Sequence, residues 1–221
     1  MDCIGETEWS KIGRYTGTTD LEVLPDGIRQ VADMANLAVG PGKLIDPATV
    51  VHVWVSPRKR ALQTFDTLFG AADISIPKEI ITVTEGIAEW DYGEYEGLKV
   101  GEIRQRRKDD GLDSEKPWDI WRDGCPGGES AQQVSERLDA LIAHIRSIHE
   151  TAMQEDKPAN VVLVAHGLIL RAFVKRWLGY PLEFPLEMIF SPGTISVLTY
   201  KDRNINRPAF NLAPPITTAG T

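Results

Sequence analysis

Two short apolar runs constrain the fold of this 221-residue chain more than any other feature. Val50–Val55 (VVHVWV) and Asn160–Ala165 (NVVLVA) are rich in β-branched residues and apolar on both faces. That pattern belongs to strands buried inside a parallel sheet. Each runs straight into a helix signal. After the first, Ser56 stands as N-cap and Pro57 at the first helical position, opening a helix over 58–68 that ends by Gly70. After the second, His166-Gly167 opens a helix to Trp177, closed by Gly179.

The remaining pattern fills in an alternation of strands and helices. Pro25 followed by Ile28, Val31, Met34 and Leu37 predicts a helix with proline in its first turn. Residues 80–83 and 194–200 read as further strands, the first one weak. The longest helix runs over 129–149, with Val134, Leu138, Leu141, Ile142, Ile145 and Ile148 on one stripe. The tail over 207–221, with Pro208, Pro214 and Pro215, reads as loose. No repeat or linker divides the chain, so residues 1–221 are expected to form one α/β domain. Its expected architecture is a three-layer α/β/α sandwich with a mostly parallel sheet. Ligands of such sheets sit at the carboxyl ends of the strands. That rule points at residues 56–60 and at His166-Gly167.

Charge and composition exclude several classes. With 24 Lys+Arg against 32 Asp+Glu, the net charge of −8 argues against a general nucleic-acid binder. No apolar run approaches the roughly 20 residues of a membrane-spanning helix. Residues 1–9 lack a basic region followed by an apolar stretch, so no secretory leader is read there and a cytoplasmic setting is expected. Cys3 and Cys125 fit neither a disulfide framework nor a metal-ligand spacing, so both read as free thiols and no metal is expected.

Among the four histidines, His144 and His149 lie five apart on the long helix and read as packing residues, and His52 as a core histidine. His166 differs, because it ends a buried strand at the amino end of a helix, where an anion is favoured. Arg58 and Arg60 stand at the equivalent point after the other strand, and arginine donates two parallel hydrogen bonds to a phosphate. Arg104, Arg106, Arg107 and Lys108 read as a solvated helix end. Glu89 lies in Glu89-Trp90-Asp91-Tyr92-Gly93-Glu94-Tyr95-Glu96-Gly97, a stretch of acids, aromatics and glycines. A carboxyl beside aromatic rings gains a raised pKa and can donate a proton near neutral pH. Spacing alone does not choose among the four acids there.

Taken together these segments resemble the phosphoglycerate-mutase-like members of the histidine phosphatase superfamily. The likeness rests on Gly5-Glu6-Thr7-Glu8-Trp9-Ser10, Tyr15-Thr16-Gly17-Thr18-Thr19-Asp20, Ser56-Pro57-Arg58-Lys59-Arg60-Ala61, the Glu89 stretch and Val164-Ala165-His166-Gly167. Pro117-Trp118-Asp119-Ile120-Trp121-Arg122-Asp123-Gly124-Cys125 is similar to the sedoheptulose-1,7-bisphosphatase branch in particular. The resemblance implies a phosphatase-type hydrolase of sugar phosphates working through a phosphohistidine, with no cofactor and no metal. Carried over, Arg60 is the phosphate clamp, His166 the second histidine and Glu89 the proton donor. Glu6, Thr16, Gly17, Tyr92 and Gly167 are substrate contacts, and Arg58 and Arg122 further phosphate or sugar contacts. The partner implied is a phosphorylated small molecule, with neither nucleic acid nor membrane; homo-oligomerisation is left open.

The pattern breaks at one place. The family's Arg-His-Gly appears here as Cys3-Ile4-Gly5, and Ile4 has no nucleophilic atom. Only Met1 and Asp2 precede it, where the family has its first strand. The expectation is therefore an inactive chain lacking that strand, and the joint loss reads as a start placed too late. The alternatives are a catalytically dead member that binds phosphorylated metabolites or a partner, and a phosphoglycerate mutase.

Overall fold

The computed structural model describes residues 2–212, with Asp2 and Cys3 described by their backbone alone. In chain order the elements are β1 (Asp2–Cys3), α1 (Glu8–Lys11), α2 (Pro25–Ala38), β2 (Val50–Val55), α3 (Lys59–Gly70) and β3 (Ile81–Val83). They continue with α4 (Val100–Asp109), α5 (Ile120–Asp123), α6 (Ala131–Gln154), β4 (Asn160–Ala165), α7 (Gly167–Trp177), β5 (Val197–Tyr200) and β6 (Pro208–Asn211).

The main sheet has the order β1-β4-β2-β3 and every pairing in it is parallel. Adjacent β2 and β4 align Val53 with Val162 and Val55 with Val164, so both strands end at the same edge. The two apolar runs divide by parity. Val53, Val55, Val162 and Val164 join one buried cluster with Val31 and Ala35 of α2 and Ala61 and Leu68 of α3. Trp54, Leu163 and Ala165 join the other, with Leu138 and Ile142 of α6 and Ile169, Leu170 and Phe173 of α7. Helices therefore cover both faces, which is why neither strand alternates apolar with polar. The expected sandwich with a mostly parallel sheet is the observed one.

Helix ends correct the reading in detail. Arg58, not Ser56, is the N-cap residue of α3, and Pro57 lies before the helix. The first N–H of α3, on Lys59, is met from outside by the Asp20 carboxylate at 2.6 Å. A distant carboxylate thus replaces the local cap that Ser56 was expected to supply. The longest helix begins two residues later than expected, at Ala131, because Ser130 and Gln133 close a capping box around its first turn.

The carboxyl-terminal part departs further. β5 is shorter than the expected 194–200 strand, and it pairs antiparallel with β6 in a separate two-stranded sheet. Residues 208–211, expected within the loose tail, are strand β6, its proline at the first position where an N–H is dispensable. The rest of that tail, 213–221, lies outside the described residues. At the amino end, β1 aligns Asp2 with Val164 and Cys3 with Ala165. The first strand, expected to be missing, is thus present as two residues, at the sheet's edge among the described strands. The chain continues this pairing through Ile4, whose N–H donates to the Ala165 carbonyl at 3.0 Å, and Gly193 donates to the Ile4 carbonyl at 3.1 Å. Among the described residues, no helix is long and apolar enough to cross a membrane.

Candidate active site

The shared end of β2 and β4 carries Ser56 and Arg60 on one side and His166 on the other. Arg60 is 1% exposed, and all three of its nitrogens are engaged. Nε donates to His166 Nδ1 at 3.1 Å. One terminal nitrogen donates to the Thr19 carbonyl at 2.9 Å, and the other to the carbonyls of Thr16 and Gly17 at 2.8 and 3.0 Å. The guanidinium thus joins α3, the strand end at His166 and the loop over 16–19.

His166 is equally buried, at 1% exposure. Because Nδ1 accepts from Arg60, the proton of the neutral ring belongs on Nε2, which faces Ser56 Oγ at 2.7 Å. Burial, followed by the charges of Arg60, Arg58 and Arg137, holds its pKa well below the ordinary 6.5. His166 is therefore a neutral hydrogen-bond donor near neutral pH. It is not a base toward Ser56, since the nitrogen facing Ser56 carries the proton.

Glu89 lies over the amino end of α7. One carboxylate oxygen accepts from Trp90 and Ile169 N–H at 3.0 and 2.9 Å, the other from Leu168 N–H at 3.3 Å. Burial pushes its pKa upward, opposed by those amides and by Arg60. A carboxyl on a helix amino terminus is held in place by the free N–H groups and the dipole. Its loop is braced from behind. Glu129 accepts from Asp91 N–H at 2.9 Å and forms a two-bond pair with Arg137.

The loop over 14–20 is pinned by Glu96, whose carboxylate accepts from the N–H groups of Gly17 and Thr19. A side chain at Gly17 would place Cβ 2.5 Å from the Trp90 carbonyl oxygen, so the approach of the two loops requires glycine. Tyr15 lies against Tyr92 with ring planes tilted by 32° and centroids 4.5 Å apart, and meets Trp118 edge-on at 6.0 Å. Burial raises the Tyr15 hydroxyl to about 12 and holds that of Tyr92 well above its ordinary value. Beyond Tyr15 opens a cavity of about 570 Å³, bounded by Trp118, Trp121, Leu168 and Arg171. A larger cavity of about 680 Å³ lies elsewhere, between β4 and β5, and touches neither Arg60, Glu89 nor His166.

The structure brings Arg60, His166, Glu89, Thr16, Gly17, Tyr92 and Gly167 together. Arg58 stands at the rim and pairs with both oxygens of Glu85 at 3.2 and 3.0 Å, its Nε buried without a partner. Arg122 is not at this centre. It is tied to Asp123 and the Pro117 carbonyl, and lines the outer cavity. Glu6 is placed by its backbone, its carbonyl accepting from Leu24 N–H at 2.8 Å. Ile4 is 7% exposed and packs in the apolar cluster with Val31 and Val55. Sequence reasoning missed the roles of Tyr15, Glu96 and the Glu129–Arg137 brace, and placed Ser56 at the strand end while giving its hydroxyl to a helix cap. Cys125 is buried and free, its thiol pushed up to about 12 by burial. Among the described residues, no three His, Cys, Asp or Glu side chains cluster to hold a metal.

A buried arginine on a neutral histidine at the strand ends, with a carboxyl on the neighbouring helix terminus, forms the polar centre of this α/β scaffold. A model of the histidine phosphatase superfamily (branch 1) matches residues 5–212, and the chain belongs to that family. Sedoheptulose 1,7-bisphosphatase of Saccharomyces cerevisiae is 34% identical over 247 residues, covering 97% of this chain and 91% of the relative. An acid phosphatase of Mycobacterium tuberculosis is 37% identical over 197 residues, covering 89% and 83%. A solved structure of a Mycobacterium tuberculosis open reading frame superimposes with a TM-score of 0.70 at 28% identity, covering 97% of this chain and 95% of the other.

Proposed function

We propose that the Arg60–His166–Glu89 centre receives the phosphoryl group of a sugar phosphate, as in sedoheptulose-bisphosphatase-like phosphoric monoester hydrolases. The observation that carries this reading is the Arg60–His166 hydrogen bond. It gives the ring a proton on Nε2 and sets that donor beside a buried guanidinium at the helix amino terminus. Phosphoryl oxygens are matched there by charged and neutral donors without protonating the ring. Arg60 and His166 hold the phosphoryl oxygens once the ligand displaces Ser56 Oγ from Nε2 and the 16–19 carbonyls from the guanidinium, Thr16, Gly17 and Tyr92 bound the sugar, and Arg58 lies at the rim.

In the hydrolytic cycle, a histidine nitrogen attacks phosphorus and the bond to the sugar oxygen breaks. Glu89 gives its proton to that leaving oxygen, and in the second half it takes one from the attacking water. The raised Glu89 pKa suits the first half, since a protonated carboxyl persists closer to neutral pH. This chain has Ile4 where the attacking histidine belongs. With no atom there to accept phosphorus, the chain holds its ligand without turnover. A cytoplasmic setting is part of the same proposal, supported by the free thiol of Cys125.

The test pairs a calorimetric titration of a sugar phosphate with a phosphate-release assay on the same preparation. Saturable binding with no release is expected. Release at an enzyme's rate refutes the assignment of Ile4 as a silent position, and absence of binding refutes the site.

A further inference from the structure

The cavity of about 680 Å³ between β4 and β5 takes no part in the phosphoryl centre, and its walls come from both layers of the core. Ile145, Phe173 and Trp177 on one side belong to the cluster under α6 and α7. On the other side Ile45 belongs to the cluster under α2 and α3, and Ile195 packs against it. The cavity therefore lies at the level of the main sheet. An occupant there meets apolar side chains above and below, as β2 and β4 do.

The backbone of β4 says what kind of occupant fits. Ser56 N–H donates to the Val164 carbonyl at 3.0 Å, and Asn160 N–H to the Thr49 carbonyl at 2.8 Å, both on the side of β2. Ile4 N–H donates to the Ala165 carbonyl on the opposite side at 3.0 Å. Peptide groups along an extended strand point alternately to its two sides, so those of Val161 and Leu163 point away from β2. On the β2 side, Val161, Val162 and Leu163 are paired with His52, Val53 and Trp54. On the other side β1 is aligned only with Val164 and Ala165, and no further described strand pairs there. Val161 and Leu163 line the cavity, so unpaired ladder groups of an inner strand open into it.

The charged side chains on the wall are spent on one another or on neighbours. Arg203 pairs with Asp156, and Lys157 with Glu155. His149 Nδ1 lies 3.0 Å from the Tyr200 hydroxyl. An anion or a cation finds no free countercharge there, whereas a peptide backbone offers N–H and C=O groups at the spacing of the ladder. A second copy of the chain is a poor source of such a strand. Among the described residues, its two runs apolar on both faces are β2 and β4, and both are held inside the sheet.

We propose that the slot between β4 and β5 binds an extended, uncharged segment of a partner protein, apolar on both faces, which adds as a strand to the edge of β4. The inference is independent of the phosphoryl centre.

The test is residue-resolved amide hydrogen exchange of the intact chain by NMR, with fluorescence anisotropy for affinity. The probes are the end-capped peptide Lys-Val-Ile-Val-Ile-Val-Lys and a twin with an N-methyl group on every apolar residue, which keeps the side chains and blocks the ladder. Without peptide, the Val161 and Leu163 amides should exchange faster than that of Val162, which faces β2. The peptide should bind saturably and slow both amides about tenfold or more, and the twin should bind about tenfold or more weakly. Equal binding of the twin makes the slot a general apolar pocket and overturns the strand. Failure of the peptide to bind, binding that leaves both amides unchanged, or amides as protected as Val162 beforehand overturns it too. Self-association of the chain that protects these two amides assigns the slot to a second copy and overturns the partner.

Discussion

Arg60 Nε and His166 Nδ1 meet at 3.1 Å in the interior, 106 residues apart in sequence. The contact sets the tautomer of one residue and the direction of the other. With Nδ1 occupied, Nε2 must donate, and with Nε spent on the ring, the remaining guanidinium nitrogens turn toward the 16–19 loop. Removing either partner therefore disturbs three segments at once.

Substitution Arg60→Ala should destabilise the fold by about 3 kcal/mol or more. It leaves the carbonyls of Thr16, Gly17 and Thr19 and the ring nitrogen of His166 without their donor, in a region where none is replaced by water at no cost. Arg60→Lys should retain more stability but weaken sugar-phosphate binding about tenfold or more, because an ammonium lacks the planar fork. Urea denaturation and calorimetry check the two halves; equal affinity in Arg60→Lys contradicts the clamp.

Gly17→Ala places a methyl 2.5 Å from the Trp90 carbonyl and 2.9 Å from the Glu96 carboxylate. Overpacking of this kind costs about 1–3 kcal/mol. The loop must also move away from Arg60, so ligand affinity should fall with stability. Thermal denaturation with and without a sugar phosphate reads both, and a variant of wild-type stability contradicts the contact.

Acidification should expose the buried histidine. His166 has a lowered pKa when folded, so the unfolded chain binds more protons below about 6.5 and stability falls as pH drops through that value. His166→Asn should lose part of that slope between about pH 7 and 5. Glu89 works in the opposite sense. Its folded pKa is raised above the ordinary 4.5, so its contribution is complete below that value and is lost as pH rises through the folded one. The melting temperature of Glu89→Gln, relative to the unmodified chain, should therefore improve as pH increases from 5 to 8. A difference that is flat or falls with pH contradicts the assignment.

Much of the centre was legible because strand ends in a parallel sheet lie on one edge. Once two buried strands were recognised, Arg58, Arg60 and His166 had to lie on that edge, and the family likeness singled out Arg60. Glu89 is different in kind. Nothing in the spacing of four acids says which one reaches the amino end of α7, and the family likeness made the choice. Ser56 was placed at that edge but its contact with His166 was not foreseen, because its hydroxyl was assigned to a helix cap, while Asp20, from a loop far off in sequence, does that work. Tyr15, Glu96 and the Glu129–Arg137 brace depend on which loops touch, which no local period encodes. Arg122 was drawn toward the centre by its motif, whereas Asp123 beside it holds the side chain outward. β5 was read as a strand but not its separate sheet, and β6, read as loose tail, was missed. Composition marks a strand but not the sheet it joins.

The proposed centre depends on His166, as a neutral Nε2–H donor beside Arg60, meeting a phosphoryl group. The most direct measurement is the nitrogen spectrum of the His166 imidazole by NMR during titration with a sugar phosphate. The expected result is a neutral ring protonated on Nε2 at pH 7, whose Nε2 signal moves saturably with ligand while the ring stays uncharged. A ring that is charged, protonated on Nδ1, or unmoved while the ligand binds contradicts it.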